Sequence, residues 1–107
     1  MLVDQRSGAA RKILRSKAVV VMDGISPKQG RTLDLNASGV SITLDHKLAA
    51  GDLGMVSFEL FVEGKAQVVS CQSRVNYCIF SGDHFKIGFQ FMNPDLASMA
   101  TINKYLR

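Results

Sequence analysis

The sequence predicts an all-β fold, an antiparallel sandwich or barrel finished by one C-terminal helix, and three observations carry that prediction. Several short segments alternate apolar and polar residues, most cleanly Val56, Phe58, Leu60 and Val62 and then Phe85, Ile87, Phe89 and Phe91. Alternation with period two puts one set of side chains on each face of a strand. Clusters bearing Gly, Pro, Asp or Ser separate these segments at regular spacing, the pattern of a strand-rich domain. Helical spacing enters only near the C-terminus, where Leu96, Met99, Ala100, Ile102, Asn103 and Leu106 follow one another. A closed barrel is the attractive form of such a sheet because closure removes exposed edges.

Each element has its own justification. Residues 1–16 lack a sustained apolar period and read as an extended or loosely ordered basic arm. Lys17-Ala18-Val19-Val20-Val21-Met22 is a β-branched run and a strand. Pro27, Gly24 and Gly30 break the chain before the next pair of strands, in which Leu33 and Leu35 share one face and Thr32, Asp34 and Asn36 the other. A polar corner, Asn36-Ala37-Ser38-Gly39, leads to Val40, Ile42 and Leu44, and Gly39 is expected to supply a positive φ there. A connection through His46 and Gly51 precedes the strand ending at Val62, and Glu63-Gly64 reads as a hairpin turn. The next strand is long, with Val69, Cys71, Val75, Tyr77 and Ile79 expected on its core face. Ser81-Gly82-Asp83 turns it into the Phe85–Phe91 strand. For the final helix, Asn93 is the expected N-cap and Pro94 the first helical position. The domain expectation is one unit over 1–107, with the arm at 1–16, the strands at 17–92 and the helix at 93–107.

Composition narrows the function classes. At 107 residues, 47% hydrophobic and 21% charged, the chain has the make-up of an ordinary soluble domain. No apolar run approaches the ~20 residues needed to span a membrane, and the first residues lack the apolar core of a signal peptide. The expected address is therefore cytoplasmic, without membrane insertion. Cys71 and Cys78 differ by an odd number of positions, so one continuous strand would place them on opposite faces, which argues for free thiols. Two Cys and two His (His46, His84) show no ligand spacing, so no metal is expected. No nucleophile with a base, no paired carboxylates and no phosphate-binding Gly loop occurs, and the chain is expected not to be an enzyme.

Charge is uneven. Residues 1–17 hold Arg6, Arg11, Lys12, Arg15 and Lys17 against Asp4, whereas the basic and acidic groups of the remainder cancel. That arrangement suits a local anion site better than a nucleic-acid stripe, and few exposed aromatics are expected on the strands for base stacking. Arg11 and Arg15 lie four positions apart, and guanidinium forks bind phosphate bidentately and stack on flat rings. Asp34 and Asn36, beside the Gly39 corner, make a candidate platform for a small ligand.

Taken together, Arg11-x-x-x-Arg15, then Asp34-Leu35-Asn36-Ala37-Ser38-Gly39, then the strand around 69–75, the strand Phe85-Lys86-Ile87-Gly88-Phe89-Gln90-Phe91 and a helix resemble the PilZ domain family from about Arg11 to Leu106. Members of that family are bacterial receptors for cyclic di-GMP. The resemblance implies a six-stranded antiparallel β-barrel with a C-terminal α-helix, and a non-catalytic receptor. Arg11 and Arg15 would wrap over the ligand, while Asp34, Asn36, Ser38 and Gly39 would meet it on the barrel surface. Asn36 stands where the family motif, Asp/Asn-x-Ser-x-x-Gly, carries Ser, which keeps a donor and an acceptor but changes reach. Ser38 occupies a place where Gly is common in relatives. The resemblance further implies an arm that orders on ligand binding and a downstream protein partner, with no nucleic-acid polymer bound. The alternative is a degenerate adaptor that has lost the nucleotide and acts through protein contacts alone.

Overall fold

The β-branched run Lys17–Met22 forms strand β2, with Ala18, Val20 and Met22 buried and the alternate residues exposed. The computed structural model describes residues 11–107. A two-residue strand, β1 (Lys12–Ile13), precedes β2, and β3 (Lys28–Leu35), β4 (Gly39–Leu44), β5 (Leu53–Val62), β6 (Lys65–Ser81) and β7 (His84–Phe91) follow. All pairings are antiparallel, in the order β3-β2-β5-β6-β7-β4, and β4 pairs back onto β3. Six strands thus close into a barrel, and β1 is an extra strand on β3.

The barrel interior is apolar. Phe58, Leu35, Ile42, Leu60, Ile87, Val56 and Val75 are essentially inaccessible, and Phe58 stacks near Phe91 with ring centroids 6.2 Å apart. The Glu63-Gly64 turn joins β5 to β6 with both residues at positive φ, 55° and 78°, the geometry a type I′ hairpin demands. Helix α1 (Leu96–Leu106) packs against β5 and β6 and buries Ile102.

Four sequence expectations are corrected. First, β3 does not alternate through to Asn36. Its register against β4 shifts between Thr32 and Asp34, so the ladder bulges at Leu33 and both Thr32 and Leu35 are buried. A bulge inserts one residue and reverses the facing of everything beyond it. Second, β6 shifts register between Val75 and Tyr77. Ile79 is therefore 55% exposed, Tyr77 leaves the core face, and Cys78 packs against the core instead. Cys71 and Cys78 consequently turn to the same side, yet both are free thiols, since seven residues of strand separate them by ~23 Å. Third, the helix begins two residues later than expected. Asp95 is the N-cap, accepting a hydrogen bond from the Ser98 N–H at 2.7 Å, while Asn93 sits at a positive φ of 48° in the preceding turn.

The fourth correction concerns the arm. Residues 1–10 lie outside the described part, but the segment from Lys12 is paired rather than loose. Ile13 pairs with Asp34 and Lys12 with Leu35, on the edge of β3 opposite β4 and therefore on the same edge as β2. β1 and β2 are in effect one strand interrupted at Leu14–Ser16. Buried Leu14 plugs the interruption, and Thr32 spans it. The Thr32 hydroxyl donates to the Leu14 carbonyl at 2.7 Å and accepts from the Ser16 N–H at 2.9 Å. Among the described residues no buried side-chain nitrogen or oxygen lacks a partner.

A candidate nucleotide cleft on the barrel surface

The bulges that broke the alternation build a cleft. At the end of β3, Asn36 turns the chain by hydrogen bonds from its own side chain. Its Oδ1 accepts from the Ser38 N–H (2.8 Å), the Gly39 N–H (2.8 Å) and the Ser38 hydroxyl (3.1 Å). Three donors converging on one oxygen set the amide's orientation and leave the Nδ2 donors as its remaining hydrogen-bonding capacity. The backbone adds a bond from the Asn36 N–H to the Gly39 carbonyl, and the Ser38 carbonyl accepts from the Phe91 N–H of β7.

Gly39 is required here for a different reason from the expected one. It is not among the residues at positive φ. A Cβ at this position would run into the carbonyl oxygen of Phe89, because β7 passes directly against the corner. Close backbone approach is the second standing use of Gly in strands.

The cleft so framed has a volume of about 280 Å³ and is lined by Arg11, Asp34, Asn36, Ser38, Gly39, Ser41, Asn76, Tyr77 and Gln90 among others. Arg11 comes from the arm, and its Nη1 lies 3.9 Å from Asp34 Oδ2. That separation exceeds hydrogen-bond length, and the arginine side chain is 58% exposed against 20% for Asp34. Such a pair contributes at most ~1 kcal/mol, so the guanidinium stays available to an anion. Asn76 is the extra residue of the β6 bulge. Tyr77 beside it lies with its ring over Gly88, where any Cβ would strike the ring, and its hydroxyl is 3.3 Å from that of buried Ser41.

Five of the six residues singled out from the sequence therefore meet: Arg11, Asp34, Asn36, Ser38 and Gly39. Arg15 does not. It lines a separate hollow with Lys17, Arg31, Glu59 and Phe61, on the other side of the arm. The cleft also holds residues that sequence reasoning missed. Asn76, Tyr77 and Gln90 arrive through register, and the only sequence signal was Gly88, a glycine inside an otherwise clean strand.

Chemically, one guanidinium, one carboxylate, three amides and three hydroxyls on a shallow floor can grip a phosphate and read donor and acceptor edges of a flat ring. The cleft holds neither histidine nor cysteine. His84 pairs instead with Asp83 at the β6–β7 turn, 2.7 Å away, and this hydrogen bond is the first cause that lowers the Asp83 pKa. Cys71 is buried, and desolvation, followed by the charge of Asp95, raises its pKa above 9.0, which keeps the thiol protonated and a poor nucleophile. Among the described residues no group of three His, Cys, Asp or Glu could hold a metal ion.

The sequence profile of the PilZ domain matches residues 5–107, nearly the whole chain. The chain belongs to the PilZ family. Solved structures agree on the fold. The inhibitor of motility MotI/DgrA of Bacillus subtilis superposes with a TM-score of 0.78 at 10% identity over 90% of this chain, which spans 47% of that protein's length. The PilZ domain of YcgR from Escherichia coli, solved with c-di-GMP, gives a TM-score of 0.74 at 14% identity, covering 95% of this chain and 89% of that one. The PilZ domain of CeSA from a cellulose-synthesizing bacterium gives 0.59 at 16% identity, covering 90% and 93%. No curated protein sequence matches the chain. PilZ domains are non-catalytic receptor and adaptor domains. No helix among the described residues is long and apolar enough to cross a membrane.

Proposed function

We propose that this PilZ domain is a non-catalytic receptor for cyclic di-GMP that signals through protein contacts. The observation that carries the reading is the meeting of Arg11 from the arm with Asp34, Asn36, Ser38 and Gly39 from the barrel in one polar cleft. Arg11 supplies a forked cation for a phosphate, and the Asp34 carboxylate accepts from the N–H edge of a guanine. The free Nδ2 of Asn36 donates where the family motif has a hydroxyl. The ligand-bound YcgR domain has the same fold, which supports a nucleotide of this class.

Arg15 enters by movement of the arm. The arm at 12–16 is held by its backbone pairing to β3, by buried Leu14, by the Thr32 bridge and by two exposed hydrogen bonds to Tyr105, and movement must break these. A dianionic ligand bound to Arg11 competes with its weak ion pair and draws the arm across the cleft, so that binding reshapes the surface shown to a partner.

The position of Arg15 outside the cleft favours the second reading, an adaptor that no longer binds nucleotide. Calorimetric titration with cyclic di-GMP, with GTP as control, separates the two. The receptor reading expects saturable binding that Arg11→Ala and Asp34→Ala each weaken at least about tenfold, with the fold intact. Absence of heat and of thermal stabilisation at high ligand excess would establish the adaptor.

A further inference from the structure

A second surface lies across the arm from the nucleotide cleft. Two adjoining hollows, of about 550 and 360 Å³, share Phe61 and Tyr105. Around them stand Lys12, Arg15, Lys17, Arg31, Lys104 and Arg107, from the arm, β2, β3 and α1. Among the described residues lining these two hollows, Glu59 and Glu63 alone are acidic against the six cations, an excess of four. Among the described residues none of the six lies within 4.0 Å of a carboxylate.

The arrangement carries an unrelieved cost. Lys17 and Arg31 are direct cross-strand partners, and like charges in that position repel. Phe61 is 65% exposed beside them, a large apolar side chain left in water within the basic rim. Tyr105 is held in place, its hydroxyl donating to the Ile13 carbonyl while its own carbonyl accepts from Lys12 Nζ at 2.8 Å. Lys12 also lies 4.8 Å from the Tyr105 ring centroid, a cation–π distance. The aromatic floor is therefore fixed by the arm, and the cations surround it.

We propose that this groove docks an acidic segment of a protein partner, with one apolar side chain seated between Phe61 and Tyr105. Anionic side chains would relieve the Lys17–Arg31 repulsion and steer the encounter, and a buried aromatic contact would supply most of the affinity. The two glutamates within the rim select against a polyphosphate backbone and suit a partner able to place its own cation opposite them. The groove shares no lining residue with the cleft in this structure, and the proposal stands without the receptor reading, although Arg15 of its rim is the residue that reading moves.

The test uses the whole chain without cyclic di-GMP, so that failure here and failure of the receptor reading are seen separately. A fluorescein-labelled peptide of Asp, Glu and Leu is titrated by anisotropy. Saturable binding that weakens with added salt is expected, reduced at least about tenfold by Phe61→Ser and by the pair Lys17→Glu and Lys104→Glu. Circular dichroism checks the fold of each variant. Amide shifts of the unaltered chain should map the peptide to Phe61, Lys104 and Tyr105, which decides the matter even if a variant unfolds. The proposal is overturned by no saturable binding, by shifts lying elsewhere, or by undiminished binding to folded variants. It is also overturned if a single-stranded oligonucleotide or a phosphatidylglycerol vesicle binds more tightly and displaces the peptide.

Discussion

Asn36 shows how one side chain can serve both the fold and the site. Its carboxamide oxygen takes three hydrogen bonds from the corner, and the corner positions Ser38 and Gly39 against β7. Asn36→Ala leaves two backbone N–H groups without their acceptor and should cost ~1–2 kcal/mol in urea unfolding. Cyclic di-GMP affinity should fall by about tenfold in the same variant. Asn36→Ser, which restores an acceptor oxygen, should recover most of both quantities. Equal behaviour of Ala and Ser would mean that the amide matters only by its size. The Asp34 side chain, by contrast, is nearly free of structural duty, because its contact to Arg11 is long, 3.9 Å, and the arginine is largely exposed.

At the scale of elements, two bulges and one hydroxyl decide where the functional groups stand. The bulge at Leu33 buries Thr32, and Thr32 then bridges the gap between β1 and β2. Thr32→Val preserves shape but strands the Leu14 carbonyl and the Ser16 N–H, at an expected ~1–3 kcal/mol. Hydrogen exchange of residues 13–16 should accelerate in this variant more than that of β5 or β6. Helix α1 depends on its cap in a pH-dependent way. The hydrogen bond from the Ser98 backbone N–H, followed by that from its hydroxyl, lowers the Asp95 pKa below its ordinary 3.8. Since the folded value is the lower one, the cap contributes fully above pH 3.8 and is lost as pH falls through the folded value. Thermal unfolding of Asp95→Ala should therefore begin below that of the parent at pH 7, and the difference should shrink below pH 3.8. Asp95→Asn should keep a cap without that pH dependence.

Across the whole molecule, the arm links two surfaces. Arg11 faces the cleft, while Lys12 and Ile13 are hydrogen-bonded to Tyr105 of α1. A ligand that re-seats Arg11 must disturb those bonds. Saturating cyclic di-GMP should therefore shift the amide resonances of Lys104 and Tyr105 together with those of residues 36–41. Shifts confined to the cleft would mean that arm and helix are uncoupled. Where the net charge lies is also settled at this scale. The sequence places the excess cations in the first 17 residues; of these, Lys12, Arg15 and Lys17 join Arg31, Lys104 and Arg107 in one rim, while Arg11 lines the cleft.

Period-two alternation, turn clusters and the late change to helical spacing were enough to determine an antiparallel sandwich or barrel with a terminal helix, because burial of one strand face is a local and repetitive demand; closure was decided by the pairing of β3 with β4. The corner at Asn36–Gly39 was legible because its side-chain hydrogen bonds run between residues two or three apart. Asn76, Tyr77 and Gln90 were not legible, since a bulge shifts register by one residue without an obligatory sequence mark, and only pairing with β7 brings them to the cleft. Gly39 was chosen by a neighbouring strand's carbonyl, not by its own φ. Arg11 and Arg15 look equivalent in the sequence, but Leu14 between them is buried, and that one plugged side chain sends the two guanidiniums to different sides of the arm.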